Sequence, residues 1–272
     1  MTVLDAIVLG IVQGLTEFLP ISSDGHLAIT YKLLGLSPNL SFEVFLHAAT
    51  LIAMFWYFRH DVIELASSIL PKHKDRTADR RIVAFIVLAT AISAVIALVL
   101  GPYLEELSSN MVAVAVGFFI TTILLVLAEA VTHGAARIAS ADKLKPLSVS
   151  AIAVLQGIAA LPGVSRSGST IAGGMLFGLK RDQAARFSFL LGIPIITLAA
   201  LKDGVDVITG PLSLPGTTLA LALGFIASGL AGYFAIWGLL RFVKNHRLYW
   251  FAAYTGLLGT VILILSSTLG RG

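Results

Sequence analysis

The chain has 272 residues, of which 57% are hydrophobic and only 12% charged, with a net charge of +4 and no cysteine. That balance excludes an ordinary soluble domain, a disulfide framework and any Cys-based metal site or nucleophile, while the recurring apolar runs are those of a polytopic helical membrane protein. The positive charge does not argue for nucleic acid, because the Lys and Arg fall in short loops between apolar runs, where they act as a topology signal.

In chain order, residues 1–19 predict an apolar helix stopped by Pro20. Gln13 and Glu17 lie where a signal peptide would be greasiest and no basic leader precedes them, so this segment reads as mature protein. A short helix over 25–36 ends near Gly35 and Pro38. The first full span is 42–58, followed by a loop with Arg59, Lys72, Lys74, Arg76, Arg80 and Arg81, which the positive-inside rule assigns to the cytoplasm. Residues 82–100 span outward to GPYLEELSSN, which lacks Lys and Arg, and 111–132 return to a loop with Arg137, Lys143 and Lys145. The stretch 148–179 is apolar but broken, and basic residues flank both ends. That predicts a re-entrant hairpin with its tip near Pro162 to Gly168, surrounded by protein or a wet cavity. Spans over 184–201, 217–240 and 248–268 follow, the last two separated by Arg241, Lys244 and Arg247. Glu129, His133 and Arg186 lie near span ends, where snorkelling suffices to explain them. Glycines in GFIASGLAGYFAIWG suit either a homodimer contact or internal helix packing.

Gln13 to His26, QGLTEFLPISSDGH, returns at Gln156 to Ser169 as QGIAALPGVSRSGS, displaced by 143 positions without a gap. The displacement pairs a span running inward with one running outward. The expected fold is therefore all-α, with six transmembrane helices plus two re-entrant hairpins in one integral membrane domain. It is an inverted-topology repeat of about 1–135 and 144–270, the two broken tips meeting near the midplane.

Gln13 and Glu17 are four apart and share a helical face, two oxygen donors suited to Mg2+ or Ca2+, with phosphate and water completing the shell. The bland alternative is a carboxylate that hydrates the break, but an intramembrane ionisable group is a functional candidate by default. Ser22, Ser23 and Asp24 are all capable N-caps, which does not account for His26. A hydroxyl beside an imidazole is an arrangement for nucleophilic attack, with His26 as acid, base or nucleophile. In the second copy Pro162 and Gly163 break the helix, and Ser165, Arg166, Ser167, Gly168 and Ser169 open the next. Unpaired N–H groups, hydroxyls and a guanidinium fork make an anion cradle there. It is neither a Walker A loop nor a nucleophile elbow, and Arg166 has an alternative role as structural partner of Glu17 or Asp24. Glu43 and His47 share a face bordering this region.

With QGLTE at 13–17, PISSDGH at 20–26 and PGVSRSG at 162–168, the chain resembles, over essentially its whole length, the undecaprenyl-diphosphate phosphatases of the bacitracin-resistance type. The resemblance implies removal of the terminal phosphate from a C55 polyprenyl diphosphate, with a divalent cation, at the outer side of the bacterial cytoplasmic membrane. This recycles the carrier for peptidoglycan and other wall polymers. It implies that Glu17, with Gln13, handles metal and diphosphate, that Ser23 and His26 are nucleophile and acid/base, and that Arg166 clamps phosphate, with Ser22, Asp24, Ser165, Ser167 and Gly168 lining the substrate. Gln13 stands where many members have Glu, and Asp24 where Thr is common. The rival reading from another class is a secondary transporter or lipid flippase, because inverted repeats with broken helices typify those folds.

Overall fold

The computed structural model describes residues 1–70, 76–131, 138–209 and 214–269; Lys72, Lys74, His133 and Arg137 lie outside them. Apart from one isolated bridge between Ile138 and Leu179, the described regular structure is helical.

The first broken stretch becomes α1 (Val3–Phe18) and α2 (Ser23–Leu34). Thr2 and Asp5 start α1 with a reciprocal capping box, Pro20 stops it, and Gly35 closes α2 in the left-handed conformation that glycine adopts without penalty. Asn39 then caps α3 (Leu40–Tyr57). The basic stretch after it, expected as loop, contains a further helix, α4 (Arg59–Ser68). Arg80 Nε donates to the Ser68 carbonyl at 2.7 Å, so the end of α4 is held by the first turn of α5 (Thr77–Ser109). Helix α5 runs past the expected end at residue 100 and through Pro102, at the cost of one backbone hydrogen bond. It is followed by α6 (Met111–Val131).

The second half contains α7 (Pro146–Ile158), α8 (Arg166–Leu176), α9 (Arg181–Thr209), α10 (Thr218–Asn245) and α11 (Tyr249–Leu269). Among the described residues six helices are long and apolar enough to cross a membrane: α3, α6, α10, and parts of α5, α9 and α11. The chain is thus a polytopic α-helical membrane protein. Helices α7 to α11 begin 143, 143, 141, 141 and 138 residues after α1, α2, α3, α5 and α6. Packing repeats too: α1 lies on α10 and α7 lies on α5, while α6 and α11 pack on each other. Each half therefore buries its first helix against the other half.

Small residues make the first of these contacts. A Cβ on Gly10 would meet the carbonyl of Gly224, and one on Gly14 the carbonyl of Ser228. Ser228 in turn donates to the Leu46 carbonyl at 3.0 Å, tying α3 to the same seam. Gly224 and Gly232, of the α10 glycines that suited either a dimer or internal packing, are used internally, as close-approach helix contacts in membranes require. At the far end of the bundle Glu129 is buried and takes Arg181 Nε and Nη2 at 2.6 and 3.1 Å and the backbone N–H of Leu248 at 2.8 Å. It joins α6, α9 and the α10–α11 turn. Snorkelling therefore does not describe Glu129, nor Arg186, which pairs with Asp61.

Candidate active site

The two breaks meet. A Cβ on Gly25 would come within 3.3 Å of the Gly163 Cα, and Ser167 Oγ donates to the Leu19 carbonyl at 2.9 Å. Irregular backbone buried among apolar spans needs polar partners, and α6 supplies them. Gly163, at φ +80°, lies on the Val114 carbonyl where no side chain fits. Thr121 Oγ1 accepts from the Ser165 N–H at 2.9 Å.

Glu17 sits at the junction, with little of its side chain exposed. Its Oε1 accepts from Arg166 Nη2 at 2.8 Å; its Oε2 accepts from Ser23 Oγ at 2.8 Å and Gln13 Nε2 at 3.1 Å, with His47 Nε2 at 3.6 Å. One carboxylate thus gathers both hairpins and α3. The expected partnership of Arg166 with Glu17 is present, and His47, which the sequence placed at the border, touches the same carboxylate.

The turn after Pro20 settles which residue caps α2. Ser22 is the N-cap, its hydroxyl accepting from the Gly25 N–H at 3.4 Å, and its φ of +71° is unique among the described non-glycine residues. Such strain is retained where the surroundings over-determine the backbone. Here the Ser22 carbonyl accepts from His26 Nδ1 at 2.6 Å, while Nε2 lies 2.7 Å from the Tyr254 hydroxyl. Ser23 does not pair with His26 as the three-residue spacing suggested. Occupying the first helical position, it donates instead to Glu17. Asp24 is exposed in the first turn.

In the second break Ser165 caps α8 by accepting from the Gly168 N–H at 3.0 Å, and its hydroxyl lies 3.2 Å from that of Ser167. These hydroxyls are thus engaged in holding the loop. Of the five side-chain polar atoms buried without a hydrogen-bond partner among the described residues, three are Gln13 Oε1, Arg166 Nη1 and Ser169 Oγ. An acceptor, a cationic donor and a hydroxyl left unsatisfied on adjoining elements demand explanation, and a polar ligand supplies one. No cluster of three or more His, Cys, Asp or Glu suited to a metal occurs among the described residues. The orphaned Gln13 oxygen beside the Glu17 carboxylate nevertheless fits a hard cation whose other ligands come from phosphate and water.

Several residues at the site carried no sequence signal. Tyr254 and Phe118 sit in uninterrupted apolar runs, and Gly192 is one glycine among many. A Cβ on Gly192 would strike Arg166 Nη1, so its bareness leaves room for the guanidinium.

Residues 6–261 match the family model described as Bacitracin resistance protein BacA. The chain is 39% identical to an undecaprenyl-diphosphatase of Gemmatimonas aurantiaca, covering 96% of this chain and 97% of that protein. It is 37% identical to one of Carboxydothermus hydrogenoformans, with the same coverage, and 35% identical to one of Methanosphaera stadtmanae, covering 98% and 99%. With the match running from α1 into α11 and taking in both breaks, the chain belongs to the BacA family.

Proposed function

We propose that the protein hydrolyses undecaprenyl diphosphate to undecaprenyl phosphate and inorganic phosphate, recycling the lipid carrier for wall polymers and conferring bacitracin resistance. The observation that carries this is the Glu17–Arg166 pair bridging two helix breaks, with an unpaired guanidinium nitrogen beside it. The relatives' names supply the substrate.

The chemistry follows from the hydrogen bonds. Arg166 keeps Nη2 on Glu17 and offers Nη1 to the terminal phosphate, whose oxygens also meet Ser169 and the first N–H groups of α8. Ser23 Oγ already points its proton at Glu17, so Glu17 is the base and Ser23 the nucleophile. The Ser23 oxygen bonds to the terminal phosphorus, its proton passes to Glu17, and the bridging oxygen departs with polyprenyl phosphate. Water then releases phosphate from the serine. His26, held beside this centre, handles a proton at Nε2. A divalent cation held by Glu17 and Gln13 would neutralise charge on the diphosphate. A transporter or flippase needs no hydroxyl poised on a carboxylate.

The basic ends Arg76 to Arg81, Lys143 to Lys145 and Arg241 to Arg247 orient the chain in the cytoplasmic membrane. Both hairpins are then re-entrant, the halves inverted, and the site opens outward. Purified protein in detergent should release phosphate from undecaprenyl diphosphate, and a chelator should stop it until Mg2+ or Ca2+ is restored. No release with either cation supplied would overturn the reading.

A further inference from the structure

His26 has both ring nitrogens engaged, and the two partners differ in kind. The Ser22 carbonyl only accepts, so Nδ1 must carry a proton. In the neutral ring Nε2 therefore holds the lone pair, and the Tyr254 hydroxyl donates into it at 2.7 Å. The Tyr254 ring lies beside the imidazole and nearly parallel to it, with centroids 5.6 Å apart and planes 10° apart, the geometry of an in-plane hydrogen bond. Phe118 meets the imidazole edge-on, at 5.5 Å and 84°. A single hydrogen bond at Nδ1 leaves a pivot about which Nε2 can swing; a second bond, with Phe118 against the ring, removes that freedom.

The position of Tyr254 suits this task. With Ile21, Phe242, Trp250 and Phe251 it lines an almost wholly apolar groove on the side of the bundle. Its ring belongs to that groove, and its hydroxyl meets His26 Nε2. A residue with an apolar body and a polar tip is required where one end faces lipid and the other a hydrogen-bonding group. Phenylalanine would satisfy the groove but not His26.

We infer that Tyr254 is a positioning residue for His26: its hydroxyl holds the imidazole in place as the Nδ1–H tautomer, and Nε2 serves the phosphate when that hydrogen bond is exchanged for the substrate. The inference rests on the proposed phosphatase reading of the site and adds a residue from α11, in the far half of the chain. It predicts that the hydroxyl matters for turnover rather than for substrate capture.

The test is Tyr254→Phe, which keeps the ring and the groove and removes one oxygen from a half-exposed side chain. Phosphate release from undecaprenyl diphosphate should show kcat down about tenfold with KM within about twofold, against the roughly hundredfold that a full ångström of misplacement costs. A structural role would not move the second readout, the 15N resonances of His26 in histidine-labelled protein, assigned by their loss in His26→Asn. In wild type they should report Nδ1–H with a hydrogen-bonded Nε2. In Tyr254→Phe the Nε2 signal should move toward that of an imidazole lacking a partner. Unchanged His26 resonances, or a moved resonance with wild-type kcat, would overturn the inference. Wild-type protein that releases no phosphate would instead overturn the reading on which it rests.

Discussion

Gly192 offers a test of the site without touching any polar group. In Gly192→Ala the new methyl would occupy the place of Arg166 Nη1 and lie 3.0 Å from its Cζ, so the guanidinium must shift. It is held by Nη2 at 2.8 Å from Glu17, a charge-assisted bond worth about 1.5–3 kcal/mol. Overpacking a tight site costs about 1–3 kcal/mol, partly offset by the gain of about 0.8–1 kcal/mol from replacing a helical glycine. The fold should survive with its melting temperature a few degrees lower. Displacing the phosphate clamp by about 1 Å should lower kcat/KM roughly 100-fold. Gly238→Ala, on α10 with no atom within 4 Å of the added carbon, is the control and should keep full activity. Phosphate release and thermal melting in detergent measure both effects. In an Arg166→Ala background the clash is gone, so Gly192→Ala should no longer destabilise. Wild-type kcat/KM in Gly192→Ala, or an equal stability loss in the Arg166→Ala background, would refute the reasoning.

Two further substitutions separate chemistry from architecture. Rapid quench with terminally labelled substrate should leave phosphate on the wild-type protein and none on Ser23→Ala; label absent from wild type would assign attack to water. Glu129→Gln should leave the partly buried Arg181 unpaired and cost about 2 kcal/mol, read as a lower melting temperature, with kcat little changed in the folded fraction. A large fall in kcat at unchanged stability would give Glu129 a role in the reaction.

The legible part of the fold was what periodicity and punctuation encode. Pro20 and Pro162, each followed by serines and a glycine in the middle of apolar sequence, located both breaks, and long apolar runs located the six spans. Gln13, Glu17 and Arg166 were legible because a polar side chain is expensive there. Local spacing failed at Ser23 and His26, because the positive φ at Ser22 turns the start of α2 and sends the two side chains to different partners. Long-range geometry was illegible in principle. The contact of Tyr254 with His26 spans 228 residues, and neither sequence neighbourhood mentions the other. Pro102 misled in the opposite sense, since α5 continues through it.

The crosswise burial of α1 on α10 has a consequence for synthesis. Helix α1 leaves the ribosome first, yet the surface carrying Gly224 and Ser228 follows roughly 200 residues later, about 10–40 s at 5–20 residues per second. For that interval Gln13 and Glu17 sit in the insertion machinery or the nascent bundle without the far half that will complete their surroundings. Glu17 can meet Arg166 once the second hairpin has been made, and the α10 surface that α1 packs on is made later still. A chain stalled before α8 holds only the first break and a carboxylate that still lacks Arg166, its counter-charge.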